Sequence, residues 1–199
     1  MQEFDSDIFE STWFNLFYIM TTLPQIFLTL YIIILKPGRK LSDYNINRFK
    51  PADLLKAAAV LLGIYICIIP VGFISKIFVP DLGNPVVYGA GWQFGNPSLI
   101  PLVVISCIAT GYSEEIFFRA YLVKSLEKSG LKIVPAAAVS ALLFGSGHIY
   151  EGFYAFAATA VIAVFLSFVF TKTKSIHAIS IGHGLYNFSV LIISMMGVL

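Results

Sequence analysis

The sequence predicts an all-α, polytopic transmembrane bundle of about six spanning helices. Three observations carry this expectation. The 199 residues are 58% hydrophobic and only 12% charged, against about 25% charged in an average soluble domain. The apolar residues gather into six long runs, each close to the roughly 20 residues that a span requires. The basic residues collect in alternate connections, which gives the spans a direction.

In chain order, the runs cover 12–35, 53–79, 99–126, 133–149, 153–171 and 176–198, and the second is interrupted by Pro70 and Gly72. Between the second and third lies PDLGNPVVYGAGWQFGNP, whose Gly, Pro and Asn content reads as a loop, with Tyr88 and Trp92 suited to the lipid interface. No repeat and no linker divides the chain, so a single integral membrane domain over 1–199 is expected. The acidic start, MQEFDSDIFE, does not read as a cleaved signal peptide.

Lys36, Arg39, Lys40, Arg48, Lys50 and Lys56 follow the first run. Lys124, Lys128 and Lys132 bracket the third turn, and Lys172 and Lys174 precede the last run. The N-terminal tail, the 80–98 loop, the 149–152 turn and the C-terminus carry no Lys or Arg. Both termini are therefore expected outside and the basic connections in the cytosol. Lys76 falls near a helix end, where it can snorkel to the interface. The net charge of +2 gives no footing for a nucleic-acid partner. Cys67 and Cys107 lie in apolar runs and read as small buried hydrophobes, with no metal pattern or disulfide framework.

Polar residues inside the apolar runs carry the chemistry. GYSEEIFFRA places Glu114, Glu115 and Arg119 in one run, where each ionised group costs about 2.5–3.5 kcal/mol on insertion scales. Glu115 and Arg119 are four apart and share a helix face, so they can pair. Glu114 is about 100° round the helix, which leaves one carboxylate without a structural partner. FGSGH sets Phe144 and His148 on one face, with Gly145 and Gly147 thinning the helix, and HGLYN does the same for His183 and Asn187.

Counting residues from the shared turns puts the three clusters at one depth. Glu114 precedes Gly130 by 16 residues and His148 follows it by 18, about 3 Å apart at 1.5 Å per residue. Glu114 and His183 agree to about 1.5 Å when counted from Lys124 and Lys174. Counting back from Lys172 instead makes His148 shallower, a mismatch that breaks at Gly145, Gly147 and Gly152 would absorb. A glutamate, two histidines and an amide meeting in a dry bundle can supply a general base, a group that orients water, and donors to an oxyanion. The same Glu114, His148 and His183 could instead hold zinc with an open position. His177, beside Lys174, reads as interfacial. Phe144, Tyr112, Ser113 and Tyr186 read as packing around the polar layer.

EExxxR, FxxxH and HxxxN, in this order within 111–190, resemble the CPBP family: CAAX proteases and bacteriocin-processing proteins, the type II CAAX prenyl endopeptidases and lysostaphin resistance protein A-like relatives. The resemblance implies an intramembrane glutamate-type endopeptidase. In it, Glu114 activates water with His148 assisting, His183 and Asn187 form the oxyanion hole, and Glu115 and Arg119 brace the helix. It implies no metal, although the family carries a metalloprotease label and zinc is the alternative. The implied substrate is a membrane-associated peptide or protein, lipidated in some relatives. The short chain looks like a member from a prokaryotic cell membrane with the site opening to the cytosol. Two rivals stand beside this reading. One is a non-catalytic membrane protein that sequesters a peptide, as a bacteriocin-immunity factor would. The other is a proton-linked transporter, against which the lack of repeats speaks.

Overall fold

The computed structural model describes residues 12–78 and 97–195. The loop expected over 80–98, with Tyr88 and Trp92, lies outside the described residues for all but its last two positions. The acidic N-terminal tail, the last residues of the sixth run and the side chain of Lys76 also lie outside them. Seven α-helices occur among the described residues, and no strand: α1 (Thr12–Leu35), α2 (Ala52–Phe78), α3 (Ile100–Glu115), α4 (Lys124–Lys128), α5 (Ile133–Ser146), α6 (Phe153–Thr173) and α7 (Ile176–Met195). A π-helical segment, Ile116–Val123, joins α3 to α4 without a break.

Five stretches are long and apolar enough to cross a membrane: Asn15–Leu35, Ala52–Ser75, Ile100–Lys128, Phe153–Thr173 and Ile176–Ile193. The sixth apolar helix, α5, is shorter. The span expected over 133–149 therefore ends at Ser146. Gly145, Ser146 and Gly147 support a helix poorly, and the chain tightens there: the His148 N–H donates to the Gly145 carbonyl at 2.8 Å. A 3-10 turn over Ile149–Glu151 and Gly152, at φ +108°, reverses the chain into α6. Helix α2, by contrast, runs through Pro70 and Gly72 unbroken, as membrane helices allow when neighbours cover the freed groups.

Helix α7 is central, packed against both α2 and α3; α1 lies on α3, and α5 pairs with α6. Lipid is as apolar as leucine, so close contact in a bilayer comes from small residues rather than from hydrophobic drive. A Cβ on Gly184 would stand 2.6 Å from the Ile108 Cα and 2.8 Å from the Cys107 carbonyl oxygen; one on Gly111 would strike the Ser180 carbonyl and the Gly184 backbone. Helices α3 and α7 thus touch backbone to backbone at the depth of the polar residues. Polar seams add about 0.6 kcal/mol per interhelical hydrogen bond: the Ser106 and Ser113 hydroxyls donate to the side chains of Asn15 and Gln25 on α1, both at 3.1 Å. The apolar core, including Ile64, Ile116, Leu166, Phe170 and Ile179, fills the space between these seams. Large apolar side chains such as Leu55 and Ile66 face outward, the arrangement a lipid solvent favours.

Candidate active site

The site forms where α3 gives way to the π segment. A π turn holds more residues than an α turn and is often found at functional sites. Glu114 and Glu115 are the last residues of α3, and Arg119 sits within the wider turn that follows. Glu115 and Arg119 are fully buried and paired, Nη1 to Oε1 at 3.0 Å. The pair is an ionic contact: none of the three guanidinium nitrogens makes a hydrogen bond of good geometry among the described residues. The cation instead lies 4.7 Å from the Phe144 ring centroid, a contact worth about 2 kcal/mol when desolvated.

Glu115 has a second partner that spacing along one helix did not reveal. His183 Nδ1 donates to Glu115 Oε1 at 2.8 Å, while its Nε2 faces Glu114 Oε2 at 3.7 Å. The sequence suggested that the two carboxylates point apart, one paired and one left over. In the structure they flank the same imidazole, one at each nitrogen. The ring bridges the angle between adjacent residues because its nitrogens project in different directions and because Gly111 and Gly184 let α7 approach. The Glu114 side chain keeps 26% exposure, against 0% for Glu115. It is the carboxylate open to an incoming molecule.

His148 lies just past the end of α5, and its Nδ1 is 3.0 Å from the Phe144 carbonyl oxygen. A carbonyl only accepts, so Nδ1 carries the proton and Nε2 is left as a base. Phe144 is the hub: its ring meets those of His148 at 4.9 Å, His183 at 6.0 Å and Phe118 at 5.0 Å between centroids. The ionisable groups around Glu114 are His183, His148, Glu115 and Arg119. Asn187 stands one turn beyond His183 on α7, half-buried. The structure thus gathers Glu114, Glu115, Arg119, His148 and His183 around Phe144, with Asn187 on the adjoining turn. No group of three or more His, Cys, Asp or Glu among the described residues is arranged to hold a metal ion.

His177 is more than an interfacial residue. Its Nδ1 meets the Tyr112 hydroxyl at 2.7 Å and its Nε2 the Asn47 carbonyl at 2.9 Å. Tyr112 is correspondingly a hydrogen-bonding residue and not packing alone. Spacing gives no such signal, because Tyr112 lies on α3, His177 on α7 and Asn47 between α1 and α2.

Residues 96–189 match the family model described as type II CAAX prenyl endopeptidase Rce1-like. This segment is similar to that family. It runs from the start of α3 nearly to the end of α7 and contains all three motifs. No curated protein and no solved structure matches the chain. The likeness implies peptidase activity on a peptide substrate, and five helices long and apolar enough to cross a membrane mark an integral membrane protein.

Proposed function

We propose that this protein is an intramembrane endopeptidase that cleaves a membrane-associated peptide or protein with water as nucleophile, without a covalent intermediate. The observation that carries the reading is the convergence of both carboxylates on His183, with Glu114 alone left partly open. Glu114 removes a proton from water as its oxygen attacks the peptide carbonyl carbon, and His148 Nε2 accepts a hydrogen bond from the O–H that remains, which aims the lone pair at the substrate. Charge accumulates on the carbonyl oxygen, which takes hydrogen bonds from His183 Nε2–H and the Asn187 amide. The C–N bond then breaks, and the proton held by Glu114 passes to the leaving nitrogen.

The geometry supports the donor role of His183: Glu115 holds its Nδ1 at 2.8 Å, which turns Nε2 toward Glu114 and the space an incoming carbonyl would enter. Every Lys and Arg except Lys76 and Arg119 falls at the end of the bundle that holds the α1–α2 connection. That bias supports both termini outside and a site reached from the cytosol, in a prokaryotic cell membrane.

The test is cleavage of a panel of membrane-inserted peptides by the purified protein. Glu114→Gln should lower the rate by about 10²–10⁴, the range for loss of a general base, while a chelator leaves it unchanged. Binding of peptides without cleavage by the wild type would instead establish a sequestering protein. Loss of cleavage on chelation would return Glu114, His148 and His183 to the role of zinc ligands.

A further inference from the structure

Helix α3 and the π segment that continues it meet three neighbours, each on a different side. Ser106, Thr110 and Ser113 hydrogen-bond to Asn15, Tyr18 and Gln25 of α1. Gly111 and Glu115 face α7. Phe118 faces α5: its carbonyl accepts from the Ser140 hydroxyl at 3.2 Å, and its ring meets that of Phe144. At about 100° per residue, Glu114 lies about 40° round from Thr110, toward Phe118. Its exposed edge therefore opens into the groove between α1 and α5.

Tyr18 stands at the edge of this groove. Its hydroxyl is anchored on Thr110, yet the residue keeps 40% exposure. The carboxylates that act on that hydroxyl are Glu114 from α3 and Glu151 from the turn after α5, three residues past His148. One phenol thus joins α1, α3 and the α5–α6 turn at a single place. Glu151 is half-buried, and the ion pairs among the described residues engage Asp53, Glu114, Glu115 and Glu127 but not Glu151. The stretches that supply the walls, 12–35, 100–118 and 133–171, contain no Lys or Arg. The groove offers an aromatic face and a carboxylate to a cation, and none of its walls supplies one.

We propose that the substrate peptide lies in this groove, with a lysine or arginine held between the Tyr18 ring and the Glu151 carboxylate. A cation on a ring face gains most where water is partly excluded, and the carboxylate selects against acidic residues. The partners on α1 and α3 rise together in number, so the two helices run parallel. Tyr18 is therefore level with Thr110, one helical turn or about 6 Å from Glu114. An extended peptide advances about 3.3 Å per residue, which puts the cation about two residues from the bond that Glu114 attacks. The place of that bond rests on the peptidase reading; the cation site does not.

The test uses the purified protein and membrane-inserted peptides in which Lys, Gln or Glu is scanned through one apolar segment. Products are mapped by mass spectrometry, and binding is read from a fluorescent label on the same peptides. The wild type should cut bonds two residues from Lys about tenfold faster than the same bonds beside Gln, and should disfavour Glu. Glu151→Lys should reverse the order and favour Glu, a gain that misfolding cannot produce. Tyr18→Leu should narrow the Lys advantage to within about threefold. An unaltered Lys preference in Glu151→Lys, or none in the wild type, would overturn the site. If no peptide is cut, tighter binding of the Lys peptides that reverses in Glu151→Lys upholds the site and counts against the peptidase alone. Binding blind to the scanned residue overturns the site as well.

Discussion

Helix α7 carries two imidazoles six residues apart, and both have partners at each nitrogen. At His177 the partners are a tyrosine hydroxyl and a backbone carbonyl. The carbonyl can only accept, so Nε2 donates, Nδ1 accepts from Tyr112, and a neutral ring satisfies everyone. At His183 the partners are two carboxylates. Glu115 is at hydrogen-bond distance from Nδ1, 2.8 Å, while Glu114 stands off at 3.7 Å from Nε2, which leaves that nitrogen room to meet another molecule. The same residue on the same helix is a fixed connector in one setting and keeps one nitrogen beside an open carboxylate in the other. Partner chemistry makes that difference, since both rings are well anchored.

Five variants would break or sharpen the contrast. Glu115→Gln has the largest expected effect. It leaves the Arg119 charge buried without a counter-charge, which should destabilise the protein by about 3–5 kcal/mol, read by unfolding in bicelles. Pairing Glu115→Leu with Arg119→Met should recover most of that stability while cleavage stays low, which separates the brace from the chemistry. His183→Gln should cost about 10²–10³ in cleavage rate, the range for loss of an oxyanion donor, with binding of peptide largely kept. Next comes Gly184→Ala: its Cβ must displace the α3 backbone at Cys107 and Ile108, an overpacking cost of about 1–3 kcal/mol, and cleavage should fall as His183 moves off Glu114. Tyr112→Phe is the smallest. It removes one neutral hydrogen bond, about 0.5–1.5 kcal/mol, and should leave the cleavage rate within a few-fold of wild type. A hundredfold loss there would erase the distinction between the two histidines.

Most of the fold could be read from composition and run length, because a bilayer demands long apolar segments and tolerates little else. The fourth run misled because 133–149 is apolar almost throughout, and the helix end is set by Gly145, Ser146 and Gly147 rather than by polarity. Within the site, the pairing of Glu115 with Arg119 followed from their spacing. The bond from His183 to Glu115 did not, because periodicity reports which face of one helix a residue occupies and not what another helix brings to it. Gly111 and Gly184 set that approach, and in sequence they look like any other membrane glycines. The π segment was equally silent, since IFFRAYLV has no composition that marks it off from an α-helix.

The shortness of α5 bears on the surrounding lipid. Fourteen residues rise only about 21 Å, against a hydrocarbon thickness of about 30 Å. The turn after it nonetheless presents Ile149, Tyr150 and Phe153 outward. A bilayer that thins beside that turn would relieve the mismatch and bring headgroup water nearer to His148. Membranes of thinner lipid relieve this mismatch, and the protein should concentrate in them when offered a choice of thicknesses.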